Sequence, residues 1–159
     1  MTADDLELLA DRLGDPWWRL TSGEVYKIKT ADGRGIIPFI PREEQKELLR
    51  KLLDDIELVR SRVEGEGGWT PQEVELKARR LGYSTTIGVF VADCLGFRPS
   101  FTAQLIDQTA DDAAKKMNGI VKVALNALIE IGWPLKKIKD NDSELTVDAL
   151  TETGDEQGE

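Results

Sequence analysis

The sequence contains no histidine and a single cysteine, Cys94, among its 159 residues. Without histidine the chain has no Ser-His or Cys-His nucleophile pair, and one cysteine allows neither an intrachain disulfide nor a classical zinc site. Cys94 lies in the apolar run VFVADCLGF, which predicts a buried structural thiol rather than a reactive one. Chemistry must therefore come from lysine, arginine, carboxylate and hydroxyl side chains or from backbone amides.

The sequence also lacks an apolar run of the about 20 residues that a membrane-spanning helix needs. Its first residues, MTADDLELL, are acidic, unlike a secretory signal. These absences predict a cytoplasmic protein with no membrane partner. The length and the composition, 40% hydrophobic and 32% charged, are typical of one globular domain with a single core.

The net charge of −9 is concentrated near the C-terminus, because residues 140–159 contain eight acidic residues and no basic one. The rest of the chain is close to neutral, so the charge does not indicate a strong nucleic-acid surface. Three neighbouring lysines remain candidate contacts: Lys136, Lys137 and Lys139. The last nine residues, TETGDEQGE, have the composition of a disordered tail.

Apolar spacing and turn residues predict an alternation of helices and strands. Helices are expected over 4–13, 41–64, 84–95 and 109–133, a β-hairpin over 24–40, a loop over 65–69, and single strands over 73–78, 100–107 and 143–147. Because these strands are separated by helices, they predict an α/β fold with a parallel sheet between helices, in three layers.

The helix predicted over 41–64 has an apolar stripe at spacings of three and four residues. We expect it to pack on its own domain, although such a stripe also suits a partner helix. The stripe consists of Leu49, Leu52, Ile56, Val59 and Val63.

The segment KARRLGYST, residues 77–85, has the layout of a phosphate-binding loop: the end of a strand, a turn with one glycine, then the start of a helix. It departs from the pattern G-x-x-x-x-G-K-[ST] because Lys77 replaces the first glycine and Tyr83 replaces the lysine. Backbone N–H groups at a helix N-terminus favour an anion, and the segment contains three basic residues and no acidic one. By its residues alone, it is either a displaced phosphate loop or a basic turn.

KARRLGYST resembles the deviant Walker A motif of the large terminase subunits of tailed bacteriophages, in which the lysine moves to the start of the loop. DPWWRL and VYKIKTADGRGIIPFIPREEQKELL are similar to the N-terminal region of that family, and FTAQLIDQTADDAAKKM and KDNDSELTVD resemble segments beyond the loop. The resemblance covers roughly residues 15–148 in order. It implies a partial P-loop ATPase fold, ATP and Mg²⁺ as cofactors, and the portal protein, the small terminase subunit and double-stranded DNA as partners.

The resemblance assigns nucleotide-binding roles to matching residues. Gln45 corresponds to the glutamine that recognises adenine. Without the resemblance, a surface glutamine on a charged helix face is the preferred interpretation. Lys77 would neutralise the β- and γ-phosphates, with Arg79 and Arg80 nearby.

Three further residues complete the implied site. Gly82 would let the backbone wrap the phosphates, Ser84 would reach the magnesium ion, and Thr85 is a supporting candidate.

Hydrolysis also needs an acid that orients magnesium and a carboxylate that activates water, and no convincing Walker B motif follows the loop. Asp148, in LTVDA, is the best local candidate, but no second acid is adjacent. The resemblance therefore implies an N-terminal portion of a terminase large subunit that is not catalytically complete alone and has no nuclease domain. Its expected segments are an N-terminal helix and hairpin (1–40), a partial P-loop ATPase domain (41–148) and an acidic tail (149–159).

Two other hypotheses remain open at this stage. One is a stand-alone, degenerate nucleotide-binding or regulatory protein of a prophage. The other is a helical interaction module that uses the helix at 41–64.

Overall fold

The computed structural model describes residues 3–30, 32–62, 82–99 and 101–149. Within these ranges the protein is a mixed α/β protein whose strands form two separate two-stranded antiparallel sheets. The elements are α1 (Ala3–Gly14), α2 (Pro16–Thr21), β1 (Lys27–Lys29), β2 (Ile36–Pro38), α3 (Glu43–Arg62), α4 (Tyr83–Phe97), α5 (Ala110–Lys116), α6 (Lys122–Glu130), β3 (Leu135–Asp140) and β4 (Leu145–Ala149). A π-helical turn, Met117–Val121, joins α5 to α6.

The helices begin where capping residues allow. Asp15 accepts a hydrogen bond from the backbone N–H of Trp17 at 2.8 Å, and Pro16 occupies the first turn of α2. Thr109 caps α5 by accepting from the backbone N–H of Asp112 at 3.1 Å, as its sequence position predicts. The helices predicted over 4–13, 84–95 and most of 109–133 are confirmed, as is the described part of the helix at 41–64.

The hairpin predicted over 24–40 is also confirmed. Strand β1 pairs antiparallel with β2, with Lys27 opposite Pro38 and Lys29 opposite Ile36. Gly33, whose φ is +71°, lies in the connection between the strands, where a positive φ favours glycine.

The prediction of a parallel sheet is wrong for the described residues. The strand predicted at 143–147 is present as β4, but it pairs antiparallel with β3, which the sequence patterns did not predict. Gly132, with φ +94°, and Pro134 end the preceding helix. The chain reverses between β3 and β4, where the backbone N–H of Asn141 donates to the carbonyl of Glu144 at 3.0 Å.

The strand predicted at 100–107 is also wrong where it is described, because residues 101–107 form no strand. A strand needs a neighbour to satisfy its backbone groups, and neither described sheet extends to this segment. The predicted strand at 73–78, the loop at 65–69 and the tail at 151–159 lie outside the described residues.

One hydrophobic core joins the N-terminal helices, the first hairpin, α3, α4 and α6. Helix α4 is central to it, because Val89, Ala92 and Cys94 have no exposed surface. Burial, and then the neighbouring Asp93 charge, raises the pKa of Cys94 to about 12, so the thiol stays protonated. The prediction of a buried structural cysteine is confirmed.

The apolar stripe of α3 faces the same core. Leu49 is fully buried, and Leu52 and Ile56 pack against the core, as we expected for a helix that packs on its own domain. Of the helices in the described ranges, none has the length and apolar character needed to cross a membrane.

Candidate functional site

Gln45 lies in the first turn of α3 and is buried, with 7% of its surface exposed. Its Oε1 atom accepts a hydrogen bond from the backbone N–H of Arg42, the residue before α3, at 2.8 Å. This is the returning half of a capping box, and it fixes the orientation of the amide group. The interpretation of Gln45 as a surface glutamine is therefore wrong.

The amide nitrogen of Gln45 contacts Gly82. A Cβ atom at residue 82 would lie 2.5 Å from Nε2 of Gln45, which is closer than real Cβ contacts. Gly82 also has a φ of +74°, a left-handed conformation that disfavours other residues. Glycine at this position therefore satisfies two independent requirements, the backbone conformation and the space that Gln45 occupies.

Gly82 is the N-cap of α4, and it presents the first turn of that helix. No described side chain caps these N–H groups, and the turn contains no acidic residue. Ser84 is exposed and Thr85 is half-buried, while the hydroxyl of Thr86 donates back to the carbonyl of Gly82 at 3.2 Å. Free N–H groups and the helix dipole both favour an anion at such a turn.

The structure thus brings together Gln45, Gly82, Ser84 and Thr85 among the residues that the sequence singles out. Gln45 comes from α3, and the other three come from the start of α4. Lys77, Arg79 and Arg80 lie outside the described residues.

The described residues near Gly82 suit a magnesium ion only if phosphate oxygens supply further ligands to it. In the described part of the chain, no group of three or more acidic or cysteine side chains is arranged to hold a metal ion. Magnesium usually keeps several waters and binds through phosphates and one or two protein oxygens. The exposed hydroxyl of Ser84 suits the role of one such oxygen.

The sequence patterns missed a buried polar cluster beneath α4. Both carboxylate oxygens of Asp93 accept hydrogen bonds from the guanidinium of Arg19. Nε lies 2.6 Å from Oδ1, and Nη2 lies 2.9 Å from Oδ2. The hydroxyl of Tyr26 donates to Oδ1 at 2.7 Å. The exposed fractions are 5% for Arg19 and 1% each for Asp93 and Tyr26. The sequence signal was a charged residue beside apolar ones in each of two segments, Arg19 in PWWRL and Asp93 in VFVADCLGF.

The other groups around this cluster are also engaged. Nη1 of Arg19 donates to the carbonyl oxygen of Leu13, and the guanidinium lies 3.7 Å from the centroid of the Phe97 ring. Burial, and then the negative charge of Asp93, raises the pKa of Tyr26 well above its ordinary value. The cluster is therefore satisfied internally and leaves Asp93 no role as a magnesium ligand.

A concavity of about 600 Å³ lies elsewhere, between residues 101–105, helices α4 and α5, and the β3–β4 hairpin. Its lining is largely apolar and includes Leu95, Phe101 and Leu145. It shares no residue with the contact between Gln45 and Gly82.

Comparisons of the chain with protein-family models, with curated proteins and with solved structures give no match. The assignment of function therefore depends on the resemblance in the sequence and on the geometry around Gly82.

Proposed function

We propose that this chain is the N-terminal, ATP-binding portion of a phage terminase large subunit, the ATPase of a DNA-packaging motor. The observation that supports this is the contact of Gln45 with Gly82. The resemblance assigns one of these residues to the adenine and the other to the phosphates of a single nucleotide. Because the two residues lie side by side, one nucleotide is long enough to reach both.

In this proposal each residue has one task. Gln45 meets the adenine edge, with Nε2 as a donor and the second lone pair of Oε1 as an acceptor. The N–H groups at the start of α4 bind phosphate oxygens. Gly82 supplies the left-handed turn that leads into this helix. Lys77 supplies the positive charge that Tyr83 cannot. Bound Mg²⁺ neutralises phosphate charge, and Ser84 supplies one of its oxygen ligands.

The remaining parts of the proposal follow from the family. They are the portal protein, the small terminase subunit and double-stranded DNA as partners, and the cytoplasm of a bacterial host as the location. The stand-alone prophage protein is the main competing hypothesis. A downstream reading frame that begins near a Walker B motif would favour the terminase.

Isothermal titration of Mg·ATP into the purified chain tests the proposal. We expect binding by the wild type and at least about fivefold weaker binding by Gln45→Ala, because a lost hydrogen-bonding group in a desolvated site costs about 1–3 kcal/mol. Gln104→Ala, at an exposed glutamine, is the matched control and should bind like the wild type.

Circular dichroism must accompany the titration, because Gln45 also caps α3. A wild type that binds no ATP at millimolar concentration would overturn the proposal. So would a folded Gln45→Ala variant with unchanged affinity.

A further inference from the structure

We propose that Arg19 and Asp93 are positioning residues whose buried ion pair fixes the rotation of α4 about its axis and so holds the first turn of α4 against Gln45. Asp93 lies eleven residues beyond Gly82, about 16 Å along the helix, so the pair does not touch the proposed ligand. The effect on ATP depends on the function proposed above, but the geometric claim is measurable without any nucleotide.

The pair is directional because of its chemistry. A guanidinium fork binds a carboxylate through two parallel hydrogen bonds, which requires the two groups to be nearly coplanar. Here both bonds are present, at 2.6 and 2.9 Å, and the face of the same guanidinium packs on the ring of Phe97. The hydroxyl of Tyr26 holds the carboxylate from another side. Asp93 can therefore rotate only slightly without breaking one of these contacts.

The rotation of Asp93 is coupled to that of Gly82 through the helix. Gly82, Thr86, Val89 and Asp93 are separated by four, three and four residues, a spacing that places them on one face of an α-helix. Thr86 and Val89 are completely buried along this face. A turn of α4 that separates Asp93 from Arg19 therefore moves Gly82 away from Gln45 by the same angle.

Nε1 of Trp133 also donates to the carbonyl oxygen of Gly96 at 3.0 Å, near the C-terminal end of α4. The close contacts of the glycines in α4 provide less directional information. Gly88 and Gly96 lie close to the π-helical turn and to α6, where a Cβ would come within 2.5 Å of Ile120 and 2.6 Å of Leu128. Glycines allow close approach but have no side chain that interlocks with a neighbour. A buried ion pair generally adds little net stability relative to an apolar replacement of similar volume. The ion pair therefore contributes a fixed orientation of α4, which an apolar pair would not provide.

Nuclear Overhauser effects between the side-chain amide protons of Gln45 and the Hα protons of Gly82 test the proposal directly. We expect a strong effect in the wild type. In the double variant Arg19→Met/Asp93→Leu we expect a weakened or absent effect in a chain that still folds. Its Tm should be lower than that of the wild type because the buried hydroxyl of Tyr26 loses its acceptor. ATP affinity should fall at least about fivefold in the same variant.

Two further variants sharpen the test. Arg19→Lys keeps the charge but loses the fork, so it should also weaken the effect. Lys27→Met/Glu130→Leu is the matched control, because it removes an exposed ion pair of 2.7 Å between β1 and α6 and should leave the effect unchanged.

The outcomes separate the two proposals. A wild-type effect that persists in folded Arg19→Lys and in the folded double variant would overturn the positioning role. If the double variant does not fold, Arg19→Lys decides alone. No effect in the wild type would also overturn it, because the contact of Gln45 with Gly82 would then be absent. If the wild type shows the nuclear Overhauser effect but does not bind ATP, the proposed function is refuted. The positioning role is then decided by the variants of Arg19 and Asp93.

Discussion

Nε2 of Gln45 and the Cα of Gly82 are so close that a Cβ atom on residue 82 would lie 2.5 Å from the amide nitrogen. The opposite end of the same amide is held by the backbone N–H of Arg42 at 2.8 Å. Gln45 therefore connects the start of α3 to the start of α4. A substitution at one of these helix starts should alter the structure at the other.

Gly82→Ala should destabilise the protein more than Gly33→Ala. Both glycines have positive φ, +74° and +71°, so both substitutions incur the cost of a left-handed alanine, about 1–2 kcal/mol. Only at residue 82 must a Cβ displace Gln45, whereas Gly33 has nothing within 4 Å. Urea unfolding measures the loss of unfolding free energy for each substitution. Adding Gln45→Ala to Gly82→Ala should bring the effect of Gly82→Ala closer to that of Gly33→Ala, because the clash is removed. Equal losses at the two glycines would show that the contact is not tight.

Lys77→Ala should weaken ATP binding far more than Tyr83→Ala. A phenol carries no positive charge, and Lys77 is the residue that the resemblance places at the phosphates. Titration with Mg·ATP provides the comparison, with Lys136→Ala as the control at an exposed lysine. A larger loss at Tyr83 would contradict the assignment.

Arg19→Met alone should lower the free energy of unfolding by about 3–5 kcal/mol, because it leaves the buried Asp93 carboxylate without its cation. Lys27→Met, which breaks the exposed pair with Glu130, should cost less than about 1 kcal/mol. Chemical denaturation of both variants measures the two values. Similar small losses would mean that Asp93 finds water or another partner when Arg19 is removed.

Asp140 should stabilise the fold only above acidic pH. Hydrogen bonds from Lys122 and then Lys137 lower the pKa of its carboxyl from 3.8 to about 2. Because the folded-state pKa is the lower one, the stabilisation is present above about pH 4 and is lost as the pH falls through 2. The difference in stability between the wild type and Asp140→Asn should therefore shrink over this window, and it should also shrink in high salt because Asp140 is exposed. A difference independent of pH would argue against the lysine contacts.

The chain alone should show no significant ATP hydrolysis even if it binds ATP. Asp93 is engaged by Arg19, and Asp148 is an exposed residue of β4 opposite Lys136. Acid-base and electrostatic groups each contribute on the order of 10²–10⁴ in rate. Among the described residues, neither a magnesium-orienting acid nor a water-activating carboxylate lies at the start of α4, so hydrolysis should stay near background. A phosphate-release assay measures this. Magnesium-dependent turnover that Asp148→Asn abolishes would make Asp148 a working Walker B acid.

Local sequence signals were sufficient for the helices and the first hairpin. The cap at Thr109 and the apolar stripe of α3 depend on residues within a few turns of each other. The pairing of strands depends on which segments meet after folding, so β4 was placed correctly but its antiparallel partner β3 was not predicted.

In the candidate site, too, local sequence was not sufficient where a contact depends on the folded chain. The role of Gln45 came from the resemblance, because its local sequence is that of a charged surface helix. In the folded chain Gln45 is buried and lies against Gly82 of α4. Arg19 and Asp93 were likewise overlooked, since their 74-residue separation hides a bond that only the folded chain makes.

The most direct test of the central claim is a titration of the ¹⁵N-labelled chain with Mg·ATP, followed by nuclear magnetic resonance. We predict that the side-chain amide of Gln45 and the backbone amides of Gly82, Ser84 and Thr85 shift together along one binding curve. No shifts at millimolar ATP, or shifts confined to the apolar concavity around Phe101 and Leu145, would contradict it.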